Sequence, residues 1–430
     1  MIDTFFALLA LIIVSAVLQN RYKIPSPITL ITVVLAGKAA GMNVFSVTGS
    51  GFDALVVLAF PLLIAADAMK LKWADMREHW ASLVWVAGVS VIFSVLAGVV
   101  LNKFLFLDIP LTLSAVAVLF CIISATDPVT VSAVMGNFKV PHKLKILVEG
   151  ESLLNDATAI IAFSIALIAL NSHDAITMEF VGTKIISVIC GAAVVGATLG
   201  LLSFRLLRMS EDPLIEASIL IMTAYASYIV AEMFHFSGIL AVIVSIVLCS
   251  EKIRRLLDGQ VTVSGLTDDF GLLRHTPMTA ENHKFITKIF EFAAMMAAGA
   301  LFVSIAALVN FSDMLLYWKE IIAIFIVSTL IRSVTMLKFA IVSNKSNMMK
   351  AKISKHWWSV LTFAGSKGAI SILMVHMIPD SFEYKKLFEV IVIGNIILST
   401  FVYAAVLAIV IPLNKAKFDK EVDDEVAAGH

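Results

Sequence analysis

The sequence predicts an all-α polytopic membrane protein. Three observations carry that expectation. The 430 residues are 60% hydrophobic and only 15% charged, and the mean hydropathy is +0.96, more apolar surface than a chain of this length can hide from water. Apolar runs of spanning length recur almost to the C-terminus. Several runs also hold prolines, glycines and charges, which a bilayer tolerates only where protein or a cavity receives the broken backbone. There is no room for a separate soluble domain, and a formal net charge of zero is silent about partners.

Length and flanking polar residues give about thirteen spanning segments. They lie near 2–19, 26–41, 52–70, 80–104, 110–136, 143–170, 179–205, 213–233, 236–250, 285–308, 318–341, 355–378 and 386–412; those at 26–41 and 236–250 are short. The first carries Asp3 and no basic flank, so it reads as a retained helix and not a cleaved signal peptide. Cys121, Cys190 and Cys249 lie far apart inside apolar runs and read as small core residues, neither a disulfide framework nor a metal site.

Loop charge sets the orientation. With the N-terminus outside, the inside loops hold Arg21 and Lys23; Lys70, Lys72 and Arg77; Lys139, Lys143 and Lys145; Arg205 and Arg208; Lys252, Arg254, Arg255 and Arg274; and Lys345, Lys350, Lys352 and Lys355. The outside loops include the uncharged region 43–50 and the acidic turn 172–179, with mild exceptions at Lys103 and at Lys385 and Lys386. This is a positive-inside pattern, and with an odd number of segments it leaves the C-terminus in the cytoplasm. The membrane part is 1–412. The loop 251–284 and the tail 413–430, polar and of mixed charge, read as solvated connectors.

Two segments break alike. The fifth contains Thr126-Asp127-Pro128 and the twelfth Gly365-Ser366-Lys367-Gly368. Pro128 removes a backbone donor and disfavours helical geometry at Asp127. If segments one to six and eight to thirteen are inverted repeats, these breaks are equivalent, and paired interrupted helices point to a transport site near the midplane.

The sixth segment carries Glu151, Ser152, Asn155 and Asp156 at i, i+1, i+4 and i+5, one polar stripe on one face. Toward lipid such a stripe is prohibitive, so it faces the interior or a water path. Oxygen donors around a carboxylate suit hard cations, and burial makes a carboxylate hold a proton more readily. One group that takes either H⁺ or a cation is the minimal part of an exchanger. The bland reading, a polar network that only fixes packing, fits Asn155 and Glu151 better than Asp156. Lys367 needs a buried acid as partner, and Glu151 is the candidate. Asp67, close to Lys70 and Lys72, reads equally as an interfacial acid or as a second carboxylate on the ion path. Glu291 and Arg332 are read as a structural ion pair. His235 is expected on the surface of a short outside turn, and no histidine spacing suggests a metal site. Nucleotide motifs, a nucleophile elbow and a basic nucleic-acid patch are all missing, so neither an enzyme nor a cofactor is expected.

Thr126-Asp127-Pro128, the run Glu149 to Asp156, the glycine-bracketed cation Lys367 and Ser237-Gly238-Ile239-Leu240-Ala241 together resemble monovalent cation:proton antiporters of the NhaP/NHE type, over nearly the whole membrane part. The resemblance implies an NhaA-like fold with two crossed broken helices near 126–128 and 365–368. Its core helices would include 52–170 and 285–378, and the remainder would form dimerisation helices of a homodimer working by an elevator mechanism. Asp156 would then take the cation or the proton, with Ser152, Thr126 (through its backbone) and Asp67 as further ligands of a monovalent cation. Asp127 and Asn155 would stabilise the crossover, and Glu151 would pair with the basic residue of the twelfth segment. Two departures stand out: Phe363-Ala364-Gly365-Ser366-Lys367-Gly368 replaces the usual Trp-Gly-Gly-Leu-Arg-Gly, and Ala66-Asp67-Ala68-Met69 is looser than an acid followed by glycine. A lysine, unlike an arginine, can give up its proton when buried. Asn155 before Asp156 resembles the electroneutral branch. The expectation is Na⁺ (or Li⁺) exchanged for H⁺ in a bacterial-type inner membrane, with K⁺/H⁺ or electrogenic exchange as the alternative. A channel would call for ringed charges along a pore, a sensor for an output domain, and a scaffold gives no reason for Asp156.

Overall fold

Helices account for the regular structure, and no strand occurs among the described residues. The structure is a computed structural model that describes residues 2–41, 49–105, 109–171, 178–210, 212–257, 280–346, 349 and 352–427. In chain order the helices are α1 (Ile2–Tyr22), α2 (Ser26–Ala39), α3 (Gly49–Lys70) and α4 (Trp73–Val84), which runs through a π-helical turn at Trp85–Val89 into α5 (Ser90–Leu105). Then come α6 (Leu113–Ser124), α7 (Pro128–Met135), α8 (His142–Asn171), α9 (Met178–Leu207), α10 (Pro213–Met233), α11 (Gly238–Leu257) and α12 (Ala280–Leu308). The last are α13 (Phe311–Leu316), α14 (Trp318–Lys345), α15 (Lys355–Phe363), α16 (Ala369–His376), α17 (Lys385–Leu413) and α18 (Lys415–Ala427). Helix starts are set by side chains that accept from first-turn amides, as Asp212 does from Leu214 at 2.8 Å and Asn310 from Ser312 at 3.1 Å.

Helices occupy every stretch expected to span. Among the described residues, eight helical stretches have the length and hydropathy to cross a bilayer, and 6–22 and 26–39 form shorter apolar helices. Part of the loop 251–284 and of the turn 172–179, including Arg274, lies outside the described residues.

The residues pack as two units. The first holds Met1–Val56, Glu78–Ile176 and Ala298–His430; the second holds Val57–Arg77 and Thr177–Ala297. In this division α1, α2 and α17 group with the broken helices, and most of α3 and α12 groups with α9 to α11. Close packing accounts for the second unit. A Cβ at Gly196 or Gly200 would come within 2.5 or 2.7 Å of the Ala241 or Ser245 carbonyl oxygen, so only glycine lets α9 lie this near the α11 backbone. Arg254 ties α11 to the end of α3 by donating to the Met69 and Leu71 carbonyls at 2.6 and 2.7 Å. His235 sits exposed at the α10–α11 turn with φ 57°. Cys190 departs from the expected core placement and is exposed on α9, while Cys121 and Cys249 are buried.

In the first unit α6 is the buried centre, with α8 alongside. The tail is not a solvated connector. It forms α18, which buries Phe418 completely, stacks that ring edge-on against His356 at 4.9 Å, and places two carboxylates on other helices. Glu421 accepts from Trp357 Nε1 at 2.8 Å and bonds His356 Nε2 at 2.9 Å. Glu425 accepts from the His142 and Lys143 backbone N–H groups at 2.8 and 3.5 Å, amides of the first turn of α8 that helix geometry leaves to outside acceptors.

Candidate ion-binding site

The site lies in the first unit and starts from the proline. The α6 run is apolar and ends at Ser124; Ala125 (ψ 140°) and Asp127 (φ −118°, ψ 122°) are extended, and Pro128 opens α7 at a position where its missing N–H costs nothing. Asp127 caps α7 by accepting from Val129 N at 3.4 Å. The break leaves backbone groups of Ser124 and Thr126 without helical partners, and the stripe on α8 answers them. Asp156 Oδ1 accepts the Thr126 N–H at 3.1 Å, the Ser152 hydroxyl donates to the Thr126 carbonyl at 2.8 Å, and Asn155 Nδ2 donates to the Ser124 carbonyl at 2.6 Å and to Thr126 Oγ1 at 3.1 Å. All four stripe residues are buried; the inward orientation follows from these bonds.

The second break spans residues 364–368, between α15 and α16. It meets the first directly: the Asp127 N–H donates to the Ser366 carbonyl at 2.7 Å. A Cβ at Gly368 would lie 2.3 Å from Asp127 Cβ, so the crossing demands glycine through close approach. Lys367 N–H donates to Ser399 Oγ on α17 at 2.9 Å, and Ser371 reaches back to the Ile122 carbonyl at 2.9 Å. Ser399 and Ser371 are partners that the sequence reading missed. The signal for Ser399 was present, a Ser-Thr pair inside the apolar run 386–412.

The ion pairs are redistributed relative to expectation. Glu151 does not pair with Lys367, nor does Arg332 serve Glu291. Arg332 Nη1 and Nη2 donate to the two Glu151 oxygens at 2.9 and 2.8 Å, a bidentate fork. Its Nε also donates to the carbonyls of Leu361 and Thr362 at 3.1 and 3.0 Å. One planar cation therefore neutralises the buried acid of α8 and caps the C-terminal end of α15, where the helix dipole favours positive charge. A lysine ammonium lacks the five-donor fork that this double duty uses. Glu291 is exposed on α12.

Lys367 is buried and feels the charges of Arg332, Glu151 and Asp156. It lines a cavity of about 30 Å³ with Asn155 and several hydroxyl side chains. Asp67 belongs to the second unit and pairs with Lys70 at 3.0 Å. Chemically, the first unit seats the Asp156 carboxylate on the Thr126 N–H, next to a break whose other groups are met by Ser152 and Asn155. Such a set suits a small monovalent cation or a proton.

Known proteins agree with this architecture. A solved sodium proton antiporter, MjNhaP1 from Methanocaldococcus jannaschii, superposes with a TM-score of 0.72 over 95% of this chain and 98% of that one, at 17% identity; this shows a shared fold. Among curated relatives, the Na(+)/H(+) antiporter ApNhaP of Aphanothece halophytica is 28% identical over 82% of this chain, and NhaG of Bacillus atrophaeus, another Na(+)/H(+) antiporter, is 25% identical over 85%. The matched region spans 63% and 66% of those two relatives. The family model for the transmembrane sodium/hydrogen exchanger matches residues 6–412, and the chain belongs to that family.

Proposed function

We propose that the chain is a secondary antiporter that exchanges Na⁺, or Li⁺, for H⁺, with Asp156 as the group that holds either. The observation that carries this reading is a buried carboxylate seated on the broken helix. Asp156 Oδ1 accepts the unwound Thr126 N–H at 3.1 Å, and the Ser152 hydroxyl one turn away donates to the Thr126 carbonyl at 2.8 Å. Binding of Na⁺ or of H⁺ neutralises the same carboxylate, so the two exclude each other and are carried alternately. Ser152 and the Thr126 backbone complete the ligand set, with Asp127 and Asn155 holding the break. The names of the relatives support the ion pair exchanged.

One carboxylate per cycle makes the exchange electroneutral, one Na⁺ for one H⁺. Buried Lys367 beside Asp156 supports a second reading, in which its proton is exchanged as well and transport is electrogenic. The rest of the proposal is thirteen spans with the N-terminus outside, a homodimer in a bacterial-type inner membrane, and elevator-like alternating access.

The test is proton flux in proteoliposomes with Na⁺, Li⁺ or K⁺, with and without an imposed potential. Na⁺-driven flux that ignores the potential is expected, and Asp156→Asn is expected to abolish it. Normal Na⁺-driven flux in that variant would sink the assignment, and acceleration by the potential would move the reading to the electrogenic form.

A further inference from the structure

The carbonyls at the end of α6 record which helical bonds the first break gives up. A helix pairs each carbonyl with the amide four residues on. For Ser124 that partner would be residue 128, a proline with no N–H, and Asn155 supplies the donor at 2.6 Å. For Ile122 the helical partner exists. It is the Thr126 N–H, which donates to Asp156 Oδ1 at 3.1 Å, while the Ile122 carbonyl accepts from the Ser371 hydroxyl of α16 at 2.9 Å. Pro128 therefore accounts for the bond lost at Ser124 and does not by itself remove the one at Ile122.

Ile122, Thr126 and Ser371 are all buried, and a buried carbonyl needs a donor. Two donors compete for this one. The Ser371 hydroxyl holds it; the Thr126 amide would take it if α6 wound on through Ala125, now extended at ψ 140°, and Asp156 would then lose that amide. We propose that Ser371 is a positioning residue for the exchange: by occupying the Ile122 carbonyl it keeps the Thr126 N–H directed at Asp156. The second break thereby holds the first one open at the cation carboxylate. One residue on, the same break takes the Asp127 N–H onto the Ser366 carbonyl at 2.7 Å. An amide aimed at a carboxylate favours its charged form, so its loss lets protons compete better with Na⁺. The charged groups nearby are Lys367, which faces Asp156 from the second break, and the Glu151 and Arg332 that also face Lys367; Ser371→Ala leaves all of them in place. The proposal rests on the reading of Asp156 as the group that holds Na⁺ or H⁺.

The experiment is the Na⁺ dependence of exchange in proteoliposomes, across a series of pH values, for the wild type, Ser371→Ala and Ser371→Thr. Ser371→Ala is expected to raise the KM for Na⁺ about fivefold at the acid end of the series, with kcat moving less than KM. At the alkaline end, where protons no longer compete, its KM returns to the wild-type value. Ser371→Thr keeps the hydroxyl and the wild-type KM throughout. An unmoved KM in Ser371→Ala at acid pH overturns the proposal, as does a rise of the same size at every pH or an equal rise in Ser371→Thr. Where Ser371→Ala does not transport, Na⁺ protection of the purified variants against thermal unfolding, at the acid and alkaline ends, supplies the same comparison. A wild-type protein with no Na⁺-driven flux overturns the functional reading instead.

Discussion

The two helix breaks cross each other yet are built on different principles. The break at 125–127 is short, opened by a proline and capped by its own Asp127; its loose backbone groups are met by three side chains of α8 and, at the Asp127 N–H, by the Ser366 carbonyl of the crossing break. The break at 364–368 is longer, has no side-chain cap at Gly368, and is met from two helices: Arg332 of α14 holds the carbonyls before it and Ser399 of α17 holds an amide within it. The first break contains its own stop signal. The second exists because other helices receive its backbone. Sequence at the break explains one of them, and partners elsewhere explain the other.

That contrast can be tested by removing its parts. The largest effect is expected from Arg332→Ala, which leaves Glu151 buried without a counter-ion and two α15 carbonyls unmet. A loss of about 3–5 kcal/mol is expected, read as a sharp fall in the detergent melting temperature. A wild-type melt would show that the second break does not depend on its outside brace. Next comes Gly368→Ala, whose methyl would overlap Asp127 Cβ. The breaks must move apart, at about 1–3 kcal/mol and with loss of transport; intact flux would mean that the crossing is not this close.

Ser399→Ala should be milder. It strands a buried Lys367 N–H, at about 1–2 kcal/mol, and Ser399→Thr should keep the bond; equal melts for the two variants would contradict the role given to the hydroxyl. Pro128→Ala is expected to do least, below about 1 kcal/mol, because Asp127, Ser152, Asn155 and Asp156 still hold the extended backbone. Collapse of transport in that variant would make the proline, and not α8, the cause of the first break.

The same contrast explains what was legible from sequence. The stripe on α8 could be read because helical spacing places 151, 152, 155 and 156 on one face and a membrane forbids that face to lipid. Pro128 announces the first break by its own covalent geometry. The choice of counter-ion for Glu151 could not be read, since Arg332 and Lys367 are both lone cations in apolar segments. Which one reaches the acid depends on helix packing, and only the guanidinium also has donors for Leu361 and Thr362. Glu291 read as the partner of Arg332 because both are charges in apolar segments, yet Arg332 turns to Glu151 and the Glu291 side chain is exposed on α12. The tail was read as solvated from its charge, although Phe418, its single aromatic residue, is the anchor that buries it.

That tail also acts as a mechanical tie. Glu425 grips the first amides of the helix that bears Asp156, and Glu421 grips the first turn of the helix that leads into Lys367. A displacement of α18 is therefore felt at the roots of both site-bearing helices at once, which makes this helix a lever on the site.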